Sequence, residues 1–264
     1  GANLVAVGMH SLGGNTTGNN NTAVGHGALF ANTTASNNTG LGFAALTAVT
    51  TGESNTAVGF NAGAALTTGG FNVAVGRQAL LSTTTPNDNV AVGNNSLRLN
   101  TTGASNTAVG SSALDANTTA SNNTGIGKSA LAANTTGINN TSVGSLSMTL
   151  NTTGASNVAV GVGALDANTT GDQNVALGSS SLGENTTADN NTAVGYLALG
   201  VNTTGTENTA VGALCMDANT TGGSNVAVGH HSLYYNTVGE NNTAVGRYAM
   251  ETNVDGSRNT AVGY

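Results

Sequence analysis

The chain contains no tryptophan, one proline and one cysteine, and its aromatic content is 3%. So few large rings rule out a conventional globular core, which depends on bulky side chains. A single cysteine excludes an intrachain disulfide framework and leaves the redox compartment unread; in its small slot Cys215 reads as an inert core residue. Five Lys and Arg stand against twelve Asp and Glu, for a net charge of −7. That balance excludes the basic stripe that nucleic acid requires. No apolar run reaches the roughly 18 residues of a membrane-spanning helix, and no signal peptide is visible. The chain is also not a disordered polyelectrolyte. Charged residues are 6% and hydrophobic ones 38%, which is the reverse of the disordered signature.

What the chain has is one phrase. NTAVG stands at 21–25 and returns at 55–59, 106–110, 191–195, 208–212, 242–246 and 259–263, with edited forms such as NVAVG at 72–76 between them. The closing glycine recurs from Gly8 to Gly263 at a constant interval of 17 residues. A fixed period decides architecture before any local propensity does. The consensus unit is N-T-A-V-G-x-x-A-L-x-x-N-T-T-G-x-x, and its places are numbered here as slots one to seventeen from the first Asn.

Slot four is always Val, Leu or Ile, and slot two is Thr or Val. Both are strand-formers, and alternation along a strand puts them on one face. Slot nine is Leu in eleven of fifteen units and Met in three. The expected core is therefore slots two, four and nine: Val24, Val58, Val75 and Val109 with Leu29, Leu114 and Leu165. Charged residues gather in slots six, ten, eleven, sixteen and seventeen, which should face water because ions are costly to bury. Asn fills slot one in fifteen of sixteen units and slot twelve in twelve of fifteen. Stacked amides can bond from coil to coil, so Asn21, Asn32, Asn117 and Asn168 are expected in a ladder. Gly25, Gly59, Gly110 and Gly195 close the phrase and are expected in turns that exclude a Cβ. From residue 38 to 88 the pattern loosens: Val49, Leu66 and Thr83 replace the slot-twelve Asn, and Gly63 replaces the slot-nine leucine.

Apolar slots two, four and nine do not follow a 3.6-residue period, and Gly, Asn and Thr are poor helix interiors. The expectation is an all-β parallel β-solenoid of about 15–16 coils, as one domain over residues 1–264 without linkers. A strand fills slots one to four, a glycine turn follows, and a second strand lies near slots seven to ten. At about 4.8 Å per coil this is a rod of roughly 75 Å.

The phrase NTAVG…AL…NTTG resembles the head repeats of trimeric autotransporter adhesins, and also the NTAVG-type repeats of phage tail-fibre-like surface proteins. The resemblance implies a left-handed β-roll, three chains side by side, on a cell surface or virion. It places Val24 and Val58 at the family's inward aliphatic positions, and Gly25 and Gly59 at its turn glycines. The small residues of slot three would then allow close packing against a neighbouring chain.

No catalytic constellation, metal motif or cofactor fingerprint is present. His10, His26, His230 and His231 are scattered apart from the last pair, and calcium-binding rolls need Asp-bearing loops that this unit lacks. One cluster is a candidate contact patch: His230, His231, Tyr234, Tyr235 and Tyr248, with Arg247 beside them. Aromatic and Arg-rich surface is typical of binding hot spots. N-T-T formally matches the N-glycosylation pattern. The chain begins and ends in mid-unit, which suggests a segment of a longer protein or a subunit that stacks end to end. The leading expectation is a non-enzymatic extracellular fibre segment that self-associates and contacts a host receptor or glycan. The alternatives are a self-assembling filament subunit and an ice-binding solenoid.

Overall fold

The computed structural model describes all residues, Gly1–Tyr264, and contains strands and turns but no helix. It comprises two compact units, Gly1–Thr136 and Gly137–Tyr264. The first carries eight three-residue strands from Val5–Val7 to Thr124–Ile126, and the second eight from Thr141–Val143 to Thr260–Val262. Within each unit every strand pairs in parallel with the next in sequence. The register is 17 residues throughout: Thr107 faces Thr124 and Val109 faces Ile126 in the first unit, and Val158 faces Val175 in the second. Each unit is thus a parallel β-solenoid with one coil per sequence repeat.

The layers differ from expectation in three ways. First, no second strand forms at slots seven to ten, where a continuous turn stands instead. The coil at 106–122 shows why. Ser112, Leu114 and Asn122, in slots seven, nine and seventeen, all have left-handed φ, at 56°, 52° and 62°. Residues of opposite hand alternate with them, so the chain curls rather than extends, closing Ala113 N–H onto the Gly110 carbonyl at 3.3 Å and Asn117 N–H onto the Leu114 carbonyl at 3.2 Å. Left-handed conformation costs a non-glycine residue about 1–2 kcal/mol. Each strained residue uses its N–H to tie coils together: Leu114 donates to the Ala130 carbonyl at 3.0 Å, and Ser112 to the Asn94 carbonyl at 2.9 Å. The leucine adds burial worth about 1.5–3 kcal/mol.

Second, the strand is inside out relative to the sequence pattern. The small slot-three residue faces the interior: Ala23, Ala57, Ala108 and Ala159 are fully buried. The valines expected in the core are corrected to the outer surface of this chain. Val58 is 37% exposed, and Val24, Val75 and Val109 are half-exposed. The reason is thinness. A Cβ built on Gly40, a slot-three glycine, would lie 3.4 Å from Leu29 Cγ and 3.2 Å from the Ala45 carbonyl oxygen. A methyl fits between the sheet and the leucine-bearing turn, and an isopropyl does not. Third, and for the same reason, the small slot-three residues meet their own chain's leucines rather than a neighbouring chain. Leu29, Leu114 and Leu165 are fully buried, as are Ala28, Ala113 and Ala164 beside them.

The closing glycine has a fixed role. At Gly110 φ is +136°, and an added Cβ would stand 2.4 Å from the carbonyl oxygen of Gly127 one coil on. Gly25, Gly59 and Gly195 repeat this conformation, with φ of 134°, 138° and 136°.

Buried asparagines join one side of the coil to the other. Asn21 and Asn32, in slots one and twelve of one coil, both donate their Nδ2 hydrogens to the Ala35 carbonyl, at 2.8 and 3.1 Å. Their remaining groups run along the axis. Asn21 Oδ1 accepts the backbone N–H of Asn38 at 2.9 Å, and Asn32 Nδ2 donates to Asn15 Oδ1 at 2.7 Å. Asn117 donates in the same way to Ala120 O and Asn100 Oδ1, and Asn168 to Gly171 O and Asn151 Oδ1. Pro86 is tolerated in slot fifteen because the clamp needs only its carbonyl, which accepts Asn72 Nδ2 at 3.0 Å.

The loosened stretch keeps its strands but breaks this ladder. Val49, Leu66 and Thr83 occupy slot twelve, all buried, and Asn32 Oδ1 is left buried without a partner beneath Val49. Gly63 is filled by its neighbour, with Leu46 Cδ2 only 2.9 Å from where a Cβ would stand. A buried orphan acceptor costs about 1–3 kcal/mol. Val49→Asn alone should leave the denaturant midpoint almost unchanged, because the orphan moves one coil up to face Leu66. The triple substitution Val49→Asn, Leu66→Asn, Thr83→Asn restores the run and should raise unfolding free energy by about 1 kcal/mol or more. If urea titration finds the triple variant no more stable than the single one, the ladder is not what holds this edge of the coil.

Candidate interaction surfaces

Three surface features follow from this arrangement. The first is the outward face of the strands, with Thr or Val in slot two and an aliphatic residue in slot four. Leu41, Val58, Ile126, Val160, Leu177 and Val211 are each 37–40% exposed in slot four. They form an aliphatic column in each unit, with half-exposed slot-two side chains alongside.

The second is the patch near residue 230, which the fold assembles within the second unit. Slots seven and ten flank the leucine-bearing turn and come side by side on its outer surface. His230 and His231 lie 4.3 Å apart by ring centroid, His231 stacks on Tyr234 at 4.5 Å, and Tyr235 meets Tyr234 edge-on at 4.7 Å. Tyr248 closes on His231 at 5.4 Å, and the Arg247 guanidinium lies 4.6 Å over its ring. Such ring and cation contacts are each worth about 0.5–1.5 kcal/mol. Acids reach in from the slot-ten column. Glu251 Oε1 is 3.2 Å from His231 Nδ1. Asp217 Oδ1 is buried with no hydrogen-bond partner, so slot ten is not uniformly a water-facing position. Burial pushes the Asp217 carboxyl above the usual carboxylate range, against the opposing pull of His231 and the Gly200 backbone. The Tyr234 hydroxyl is also raised, by desolvation first and then by the charges of Asp217, Tyr235 and Glu251.

The third lies within the first unit and was missed in the sequence. His26 stacks on Phe43 and Phe43 on Phe60, both at 5.3 Å with planes within 12°. His10 approaches His26 edge-on at 5.8 Å and Phe30 at 5.9 Å. A groove of about 240 Å³ lies here, lined by His10, His26, Phe30 and Phe43 together with Gly27 and Ala44. The signal was present, since His26, Phe43 and Phe60 hold slot six in three successive coils. Spacing along the chain made them look scattered, and spacing by coil makes them neighbours.

Chemically these surfaces offer rings, amides and hydroxyls. The Cys215 thiol is fully buried and its pKa is pushed up to about 12 by desolvation, so it is no nucleophile at neutral pH. No three His, Cys, Asp or Glu side chains converge as a metal site. No helix is long and apolar enough to cross a membrane. The class defined by the fold is the parallel β-solenoid repeat protein. In comparisons with known proteins, no family model matches the chain and no curated protein matches it.

The Asp217 environment has a testable sign. Its folded pKa is raised, so its contribution to stability is fully present below the ordinary carboxylate pKa of about 3.9 and is lost as pH rises through the folded value. Asp217→Asn should therefore be more stable than the parent at about pH 7, and the advantage should vanish below the ordinary carboxylate pKa. Urea midpoints of both proteins across that range check this, and a difference that does not vary with pH would reject the raised carboxyl.

Proposed function

We propose that the chain is a stiff structural and adhesive segment of an extracellular fibre, on a cell surface or virion, built from three copies side by side. The observation that carries this reading is the exposed slot-four column. Each coil devotes a strand-forming aliphatic residue to a surface position when a polar one would serve a solitary chain. Repetition of such residues marks an interaction face, and a second copy carries the same face at the same 17-residue pitch. Stiffness follows from coil-to-coil bonding, in which each repeat rests on its neighbours. The aromatic surfaces supply contacts to a receptor or glycan, since Tyr, His and Arg suit the centres of binding patches.

Sedimentation of the purified protein should give three times the 25.6 kDa chain mass. Val58→Glu, Val109→Glu, Val160→Glu and Val211→Glu together should release monomers with an unchanged far-ultraviolet spectrum, because these side chains are not in the chain's own core. A parent protein that stays monomeric at every concentration would remove the trimer from the reading.

The same face favours a second reading. Thr and Val columns on a flat sheet can order water, so an ice-binding solenoid is the alternative. The hydroxyls of N-T-T serve it less well, because slot-thirteen threonines are committed to the ladder; Thr118 Oγ1, for example, donates to Thr135 O at 3.1 Å. Thermal hysteresis in a monomeric sample favours this alternative over the fibre.

For adhesion, Tyr234→Ala with Tyr235→Ala should weaken binding of the intact fibre to its target surface by tenfold or more, about 1.4 kcal/mol, while leaving trimer mass unaltered. Undiminished binding would take the patch near residue 230 out of the adhesive role.

A further inference from the structure

The sequence carries the N-x-T acceptor pattern in two sets, and the fold separates them. In N-T-T the asparagine is slot twelve. Asn32, Asn117, Asn168 and Asn202 are fully buried, and both Nδ2 hydrogens are held, as in Asn202, which donates to Gly205 O at 2.9 Å and Asn185 Oδ1 at 3.0 Å. A sugar on that nitrogen would replace one of these bonds and require space the coil does not have. The other set is N-N-T, where the asparagine is slot seventeen: Asn20, Asn37, Asn122, Asn139, Asn190 and Asn241. All six are exposed, with φ between 56° and 63°. The threonine two residues on is slot two, half-exposed on the outward strand face at Thr22, Thr39, Thr124, Thr141, Thr192 and Thr243. Both residues that define the acceptor are thus open to solvent in the folded chain.

We propose that these six slot-seventeen asparagines are acceptor sites for N-linked glycosyl transfer onto the folded protein, and that the fully buried N-T-T asparagines between Asn32 and Asn219 are not. The donor class is a nucleoside-diphosphate sugar, handled by a glycosyltransferase that recognises N-x-T. The asparagine Nδ2 forms a bond to the sugar C1 as the C1–O bond to the diphosphate breaks. Nδ2 gives up one proton, and the nucleoside diphosphate leaves with the bonding electron pair. Because slot seventeen recurs once per coil, the glycans would lie along one edge of each unit. The proposal rests on burial in the single chain; the slot-two threonines lie on the face that the fibre reading gives to neighbouring copies, so the two readings are separated by testing the associated and the monomeric protein side by side.

The test uses the purified, folded protein, both as isolated and as the Val58→Glu, Val109→Glu, Val160→Glu, Val211→Glu monomer, with a soluble N-glycosyltransferase of N-x-T specificity and a nucleoside-diphosphate hexose, read by intact mass and peptide mapping. The expected result is hexose at the six slot-seventeen positions of the monomer and none at the buried N-T-T asparagines from Asn32 to Asn219. Thr22→Val should abolish addition at Asn20 alone, without cost to the fold, because valine is the native slot-two residue at Val73 and Val90. Three results would overturn the proposal: no hexose on the folded monomer, hexose at an N-T-T asparagine between Asn32 and Asn219 with a native far-ultraviolet spectrum, or hexose persisting on Asn20 in the Thr22→Val variant.

Discussion

The interaction on which the rest depends is the double clamp on the slot-fifteen carbonyl. Two buried amides from opposite sides of one coil, such as Asn208 and Asn219 on Gly222 at 2.8 and 3.0 Å, close a circuit whose only extended segment is three residues long. A strand that short contributes few ladder bonds, and the turn that follows it is strained at two positions. Without the clamp the corner carbonyl would be buried and unpaired, at a cost of about 1–3 kcal/mol, which is comparable to what burying the coil's leucine returns. Asparagine suits the role because one side chain supplies two donors and an acceptor in a plane. In Asn219 one donor closes the coil on Gly222 O, the other reaches Asn202 Oδ1 in the preceding coil, and the acceptor engages Asn236 Nδ2 in the next.

That demand explains why the interior is so small. Two alanines and one leucine per coil are enough because hydrogen bonds along the axis carry what area does not. The backbone alternates its direction of bonding: Leu114 donates forward and Ser112 backward. Each coil is therefore held from both sides. The cost is left-handed leucine, serine and asparagine in almost every repeat. Such conformations persist only where surrounding structure over-determines them, and here the surroundings are the same conformation one coil away. Sequence monotony is a physical requirement in this architecture, since the strain of one coil is offset by an identical neighbour.

Much of this was legible in the sequence. The period gave the coil, the invariant glycine gave the turn, and the recurring asparagines of slots one and twelve gave the amide ladder. Two things were not legible. Val109 and Leu114 look alike in a hydropathy pattern, yet one faces out and one in. The difference is set by layer thickness, which appears only when Ala108 is seen against the slot-nine leucine. The turn at slots seven to ten was read as a strand because A-L with flanking variable residues carries no breaker. Left-handed leucine has no sequence signature, since leucine is an unlikely choice for that region on its own and adopts it only because its N–H finds a carbonyl in the next coil.

The division between fixed and variable slots also decides where recognition can reside. Slots one, three, five, nine and twelve are committed to the fold and slots two and four repeat Thr and aliphatic residues, so chemistry that differs from coil to coil must come from slots six, seven, ten, eleven, sixteen and seventeen. A single aromatic ring in one of these is an isolated surface residue. Rings in the same slot of successive coils are brought to the strand spacing, as the 5.3 Å steps from His26 to Phe60 show. A surface patch in this fold is therefore written vertically, by repeating a residue type every seventeen positions, or across a gap of three between slots seven and ten, as with His231 and Tyr234. Both routes change a side chain without touching the clamp. A solenoid of this kind can thus acquire or lose a contact surface at the cost of the ring contacts themselves, while the hydrogen bonds that close and stack its coils stay in place.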